Sequence, residues 1–569
     1  MTASTTTVPN RRYARRWPGG AGLWRFGTIT VALLLTLPIL VVLIGSLAPT
    51  GDIWSHLAAT VLPSYVANTI WILLGVGLGV LLGGVGTAWL VSLCDFPFRR
   101  IFEWALLLPL AVPAYVIAYT YTGLLDYAGP AQSMLREWFG WTAKGDYWFP
   151  EVRSLGGAIV MLVLVLYPYV YLLSRAAFVE QSVCSLEVSR TLGCGPWAAM
   201  WRVALPLARP SIAAGTALAL MEALSDFGTV QYFGVDTFTT GIYRTWLNMN
   251  RPDAALQLAA LLMLFVFALL WIERRSRGRA AFHHMSTRYR ALPSFKLRGW
   301  RAAAAMIFCA LPLLFGFLLP AAALVAWTLE TAAQTIDTRF VRLVVNSVTL
   351  AAAASVLTLF VALLLGYGMR MGGGRLERVC ARVAGLGYAT PGAVIAVGVV
   401  LPFAWFDNAL DGLLREYFGV SSGLILSGGI ATLLFAYTVR FLAIALGAVE
   451  SGLSRITPHM DDAARGLGAT PMATLARVHA PIIKGSLLSA CLLVFVDVMK
   501  ELPATLLIRP FNFDTLAIRT YEYAGDEQLR EAGASALAIV AAGILPVILL
   551  SRAVARARPG AEPRREVVA

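Results

Sequence analysis

The chain has 569 residues, 58% hydrophobic and only 14% charged, with a formal net charge of +14 and a mean hydropathy of +0.71. A soluble domain is nearer a quarter charged and could not keep this much apolar surface from water. Apolar runs of eighteen or more residues recur, each long enough to cross a hydrocarbon layer of ~30 Å, so the composition defines a polytopic membrane protein. Its spans are expected to be helices, which satisfy their own backbone hydrogen bonds, and the short alternating segments of a membrane β-barrel are not evident.

In chain order, residues 1–25 form a basic N-terminal segment containing "RRYARR". Twelve spans follow, at 26–48, 66–94, 102–125, 155–174, 208–233 and 254–272, then 303–328, 343–369, 382–406, 421–448, 484–508 and 532–551. The first apolar run is longer than a signal-peptide core and is followed by eleven more, so it is expected to be an uncleaved anchor. With the N-terminus inside, "RRYARR", "FPFRR", the linker 273–301, "MRMGGGRLERVCAR" and the tail 552–569 all face the cytoplasm. The first outer loop, "APTGDIWSHLAATVLPSY", has no Lys or Arg. This asymmetry is the positive-inside pattern, and it explains the basic excess as topology, not as a nucleic-acid surface. The six cysteines, at 94, 184, 194, 309, 380 and 491, lack metal or disulfide spacing and read as small apolar residues.

The chain repeats itself. Asn68 matches Asn346, Pro113 matches Pro391, and Asp236-Thr237 matches Asp514-Thr515, each at a shift of 278. "LEVSRTLGCGPWAAMWRVALPL" at 186–207 matches "DDAARGLGATPMATLARVHAPI" at 461–482 at a shift of 275. Six spans separate equivalent positions, so 26–272 and 302–551 are two six-helix halves of the same orientation. Such a parallel repeat has its pseudo-twofold axis along the membrane normal, with a transport route expected between the halves.

Both copies of the polar loop lie between the fourth and fifth spans of their half, on the cytoplasmic side. Ser182 or Thr457 can cap a first helix, and Pro458 suits its first turn. Gly193 or Gly468 can supply a left-handed end, and Thr470-Pro471 can start a second helix. Glu187 and Arg190, and likewise Asp462 and Arg465, are spaced to pair across one turn, while Pro206 and Pro481 precede the next span. Two rigid knuckles about a twofold axis suit a twofold-symmetric partner. His479 is expected to be a surface residue and not a ligand.

These loops resemble the EAA loop of binding-protein-dependent ABC importer permeases of the type I fold. The resemblance implies that Glu187, Arg190, Gly193 and Pro206, with Asp462, Arg465, Gly468 and Pro481, dock a cytoplasmic ATPase dimer. The chain has no GxxxxGK[ST] phosphate loop. The resemblance therefore implies no cofactor and no catalytic residue here, with ATP and Mg held by the partner ATPase. It also implies location in a bacterial inner membrane.

The fifth span of each half carries acids, Glu222 and Asp226 in the first and Asp497 and Glu501 in the second, paired by the 275 shift. Each pair is spaced i, i+4 on one helix face, and Glu222 lies ~18 Å up the helix from Pro210. Intramembrane acids commonly mark a pathway, and oxygen ligands suit a hard cation, although Lys500 could instead neutralise some of them. No metal site is assigned. The tyrosines of "PAYVIAYTYTG" and "YPYVYLL" are expected to be interfacial belt residues. His283-His284 read as a solvated turn.

"SDFGTVQYFGVDTFTTGIYRTW" and "MKELPATLLIRPFNFDTLA" are similar to ferric-iron members of the permease family, in which both halves are often fused. That resemblance implies a periplasmic ferric-binding protein as partner. Thiamine, aminoethylphosphonate and polyamine permeases remain alternatives, as does a secondary transporter driven by an ion gradient.

Overall fold

A computed structural model describes residues 21–49, 52–180, 196–277, 295–372 and 374–556. Among these, ten helices are long and apolar enough to cross a membrane: Trp24–Gly45, Leu62–Leu93, Leu155–Val179, Met200–Ser225, Pro252–Ser276, Trp300–Thr335, Thr338–Met371, Gly392–Phe418, Ile430–Ser454 and Pro471–Met499. Two more segments lie at the third and twelfth expected positions. The third is a bent pair, Arg99–Ala111 with Ala114–Phe139, meeting at 91°, and the twelfth is a shorter apolar helix, Ala532–Ile548. The protein is thus an all-α polytopic membrane protein. The only strand pairing among the described residues joins Cys94–Asp95 to Phe295–Lys296 in parallel.

Several expected spans are interrupted, and proline or a polar cap explains each case. The third breaks at Val112-Pro113 and the ninth at Thr390-Pro391, where the residue before proline is driven into extended backbone. The fifth stops at Ser225 and the eleventh at Met499, short of the expected 233 and 508. The tenth begins at Ile430, not 421. There the buried Asp407 holds the preceding loop by accepting from the Leu426 and Ser427 amides.

The repeat is carried in hydrogen bonds. Asn68 Nδ2 donates to Asp236 O at 2.8 Å, and Asn346 Nδ2 donates to Asp514 O at 3.1 Å, each across 168 residues. The sequence halves, however, are not two separate bodies. The first span crosses to the second half: a methyl group on Gly368 would fall 1.9 Å from Thr28 Oγ1, and one on Gly398 would fall 2.4 Å from Pro38 O. The seventh span returns the exchange, with Phe308 seated on Gly86 and Gly316 against Leu164 O. The boundaries 26–272 and 302–551 therefore describe a repeat in sequence whose leading helices are swapped in space.

Close packing inside the first half uses small residues at helical spacing, as expected where lipid offers helices no hydrophobic reason to associate. Gly75, Gly79 and Gly83 line one face of the second span, and a methyl on Gly79 would meet Val163 Cγ2 at 2.4 Å on the fourth.

Candidate functional site

Two regions carry polar side chains in organised form: an elbow at one face, and a charged layer between the halves toward the other. In the repeated loop, Glu187, Arg190 and Gly193, with Ser182, lie outside the described residues. Pro206 sits in the first turn of Leu205–Ser225. The second copy is described throughout. Its first helix, Pro458–Gly466, has Pro458 at its start, but the Thr457 hydroxyl makes no cap bond, contrary to expectation. Asp462 and Arg465 form the expected ion pair. Gly468 has φ +78°, its amide donates to Arg465 O at 2.9 Å, and the Ala469 amide donates to Ala464 O at 3.0 Å. That pair of bonds is a Schellman closure, which requires the left-handed residue glycine supplies. Thr470 Oγ1 then accepts from the Ala473 amide at 3.3 Å and starts Pro471–Thr474. Pro481 stands in the first turn of Ala480–Met499, the helix that forms most of the eleventh span.

The elbow is bolted to the bundle through Asp461. Arg370, near the end of the eighth span, donates to Asp461 at 2.7 Å and also to the carbonyls of Leu453 (2.9 Å) and Ile456 (3.1 Å), which close the tenth span. His479 Nε2 lies 2.7 Å from the same carboxylate. At 1% exposure His479 is buried, which overturns its expected surface position. Its ring packs on Tyr367 at 5.6 Å while its polar edge faces Asp461. Burial works to raise the Asp461 carboxyl, but His479 and Arg370 outweigh it and hold the group below its ordinary range. Tyr367 donates to Pro471 O at 2.8 Å and receives Trp24 of the swapped first span edge-on at 5.2 Å. By contrast Leu467 is 88% exposed and Met472 62%, two apolar side chains left bare on a polar loop.

The second region lies where the fifth and eleventh spans break. Asp226 accepts from Thr229 N and Val230 N, each at 3.1 Å, and from Thr229 Oγ1 at 2.9 Å, so it caps the short helix Gly228–Tyr232. Glu501, its repeat partner, accepts from Ala504 N at 3.0 Å and caps Pro503–Ile508. Between them lies Arg440 of the tenth span, 6% exposed. It reaches Glu501 at 3.2 Å and Glu222 at 4.0 Å, and donates to Ser225 Oγ at 3.0 Å. Lys500 pairs with Asp497 at 2.8 Å. All four predicted acids, with Arg440 and Lys500, line one cavity of about 100 Å³.

The arrangement therefore differs from a bare ring of four carboxylates. Two cations sit on three of the acids, and Asp226 has no cation within ion-pair distance among the described residues. Arg440 went unread in the sequence, although a lone arginine inside "AYTVRFLAIAL" was the available signal. No three His, Cys, Asp or Glu side chains among the described residues gather as a metal set. The tyrosines also depart from expectation. Tyr115, Tyr119, Tyr121, Tyr167 and Tyr171 are all buried, not belt residues. The hydroxyls of Tyr121, Tyr167 and Tyr171 donate to the carbonyls of Phe315, Leu106 and Glu103. His283-His284 lie outside the described residues.

Beyond the charged layer, on the face opposite the elbow, Arg153 of the first half forms a two-pronged pair with Glu527 of the second at 2.8 Å. Its hydrogen bonds hold Glu527 below the usual glutamate range against the opposing effect of partial burial. The pair borders a wider cavity of about 510 Å³ that also meets Tyr232 and Glu522.

A duplicated helical bundle with an elbow at one face and a plugged polar interface defines a permease. A family model described as the binding-protein-dependent transport system inner membrane component matches residues 75–277 and 354–560. The chain belongs to that family, with two copies fused. It is 26% identical over 496 residues to the Fe(3+)-transport system permease protein FbpB 2 of Haemophilus influenzae, covering 86% of this chain and 89% of the relative. The ferric transport system permease protein FbpB of Actinobacillus pleuropneumoniae is 23% identical over 424 residues, 70% of this chain and 58% of its own. The molybdenum transport system permease protein ModB of Escherichia coli K12 is 28% identical over 207 residues, 35% of this chain and 87% of its own.

Proposed function

We propose that this permease passes ferric iron, delivered by an extracytoplasmic binding protein, into the cytoplasm at the expense of ATP hydrolysed on a separate ATPase dimer. The names of two relatives, matched over 86% and 70% of this chain, support the cargo. The elbow supports the coupling. Leu467 and Met472 stay bare on a loop that is otherwise locked to three spans and to the swapped first helix, as a docking knuckle that transmits force should be. Asp462, Arg465 and Gly468 shape its surface, and Glu187, Arg190 and Gly193 are assigned the same work in the first copy. The positive-inside pattern of the basic segments supports a cytoplasmic position for this face and both termini.

In this reading the charged layer is the closed route. Arg440 and Lys500 occupy carboxylates that would otherwise hold a cation, and parting the halves would break the Arg440–Glu222 contact and open the cavity that Asp226, Asp497 and Glu501 also line. The test is ATP hydrolysis by the chain reconstituted with its ATPase subunits and with loaded binding proteins. A ferric-loaded protein is expected to stimulate hydrolysis; stimulation by thiamine- or polyamine-loaded protein with none by the ferric one would overturn the cargo. Uptake that survives ATP depletion but stops when the proton gradient collapses would overturn the ATP-driven reading.

A further inference from the structure

A further repeat lies on the face opposite the elbow, outside both the elbow and the charged layer. "LREWFG" at 135–140 matches "LREYFG" at 414–419 at a shift of 279. Each stretch ends a helix, Pro130–Phe139 or Gly392–Phe418, and each closes on a left-handed glycine, Gly140 at φ +66° or Gly419 at φ +67°. The aromatic pair before each glycine stands in the open: Trp138 is 73% exposed and Phe139 62%, Tyr417 70% and Phe418 75%. The arginine of each copy is tied into its own half. Arg136 donates to Tyr127 O at 2.9 Å and to the Tyr147 hydroxyl at 3.1 Å, and Arg415 pairs with Asp411 at 2.7 Å and donates to Ser421 Oγ at 3.1 Å. The neighbouring glutamate, Glu137 or Glu416, is exposed and forms no ion pair among the described residues. Each half thus presents the same tip, two bare aromatic rings beside one uncompensated acid.

The second-half tip stands clear of the span that follows it. Asp407, by accepting from the Leu426 and Ser427 amides, fixes the level at which the chain turns into the tenth span. Its helix runs on from there to Phe418, ~16 Å of further rise. Spans tilt by about 20° on average, so most of that length is height on the outer side. The first half builds the matching arm from Ala114–Leu125 and Pro130–Phe139. A helix lying on lipid carries Lys or Arg on its polar face, whereas the free charge at these tips is acidic. Resting on the binding-protein reading above, we infer that the two tips are a paired docking surface for the extracytoplasmic binding protein, which meets each with an apolar pocket edged by Lys or Arg. Trp and Tyr are the side chains that most often anchor a protein interface, and acids at the rim steer a basic partner. Duplication then has a use, because a partner seated on both tips bears on both halves at once.

The test measures binding of ferric-loaded binding protein to the full-length chain in lipid nanodiscs. W138A/Y417A is expected to weaken binding at least tenfold. E137K/E416K should also weaken it and reverse its salt dependence, since salt screens attraction in the wild type and repulsion in the variant. Both double variants change exposed side chains and should unfold at the wild-type midpoint. A nitroxide at position 138 or 417 should meet a water-soluble relaxation agent in the free chain and be shielded from it once the binding protein is added. Wild-type affinity in both double variants, or a nitroxide reached only by lipid-dissolved oxygen, overturns the docking surface, and binding to the wild type in that event leaves the reading above standing. No binding of the ferric-loaded protein even to the wild type rejects that reading and this surface together.

Discussion

Arg440 joins the halves by bonding Ser225 across 215 positions while neutralising Glu501 in its own half. Replacing it by alanine leaves buried carboxylates without a counter-charge, expected to be destabilising by ~3–5 kcal/mol. A thermal-unfolding series in detergent should show R440A far below wild type, with R440K only partly restored, because a point charge cannot reach three partners at once. A midpoint within a degree of wild type would contradict this role. Asp461 makes a pH prediction. Its lowered carboxyl binds fewer protons in the folded chain than in the unfolded one. The tie it contributes is therefore complete above the ordinary Asp value of ~3.9 and fades as pH falls through the lowered one. The unfolding gap between wild type and D461N should be constant near neutrality and close in acid; a gap that widens in acid would refute the assignment. The acids themselves were legible as charges in apolar runs. Lys500, three positions from Asp497, was legible beside them; Arg440 was not, because its acids Glu222 and Glu501 lie on other spans, and Arg370 is 91 positions from Asp461. Nothing in local spacing records such partners.

The elbow was legible almost residue by residue, since its helix ends are written in proline and glycine. Thr457 and His479 were the exceptions: backbone geometry starts that helix without the Thr457 hydroxyl, and His479 is buried instead of at the surface. Any side chain at the φ +78° of Gly468 carries a left-handed penalty of ~1–2 kcal/mol. G468V should therefore leave the chain inserted and folded yet reduce transport per ATP hydrolysed, and unchanged coupling would show that the elbow's shape is unimportant. The span interruptions at Pro113 and Pro391 were missed because apolarity continues through them, although the prolines themselves were noticed as repeat landmarks. Helix packing gives a further test. A methyl on Gly84 would meet Val170 Cβ at 2.6 Å and the backbone of Tyr167 and Tyr171 at 2.9 Å, where nothing flexible can yield. G84A should cost about 1–3 kcal/mol, whereas alanine at the open Gly447 should be neutral; equal midpoints for both would argue against the close crossing.

Duplication, a common orientation for both halves and a membrane-embedded interface were all readable from four matched landmarks. The exchange of leading helices was not, because hydropathy marks where a helix lies in the chain and says nothing about which half it covers. That exchange matters mechanically. Trp24 carries the first span onto Tyr367, and Tyr367 holds Pro471, so one elbow is wired to both halves. Motion at the elbow can then reach Arg440 and the charged layer without passing through the linker. A photo-crosslinking amino acid at position 467, in membranes that also contain the ATPase subunits, tests whether the elbow is gripped from the cytoplasm. A cross-link to the ATPase from position 467, with none from position 138 on the opposite face, is the expected outcome. Failure of 467 to cross-link, or its labelling by a reagent confined to the outside, would contradict it.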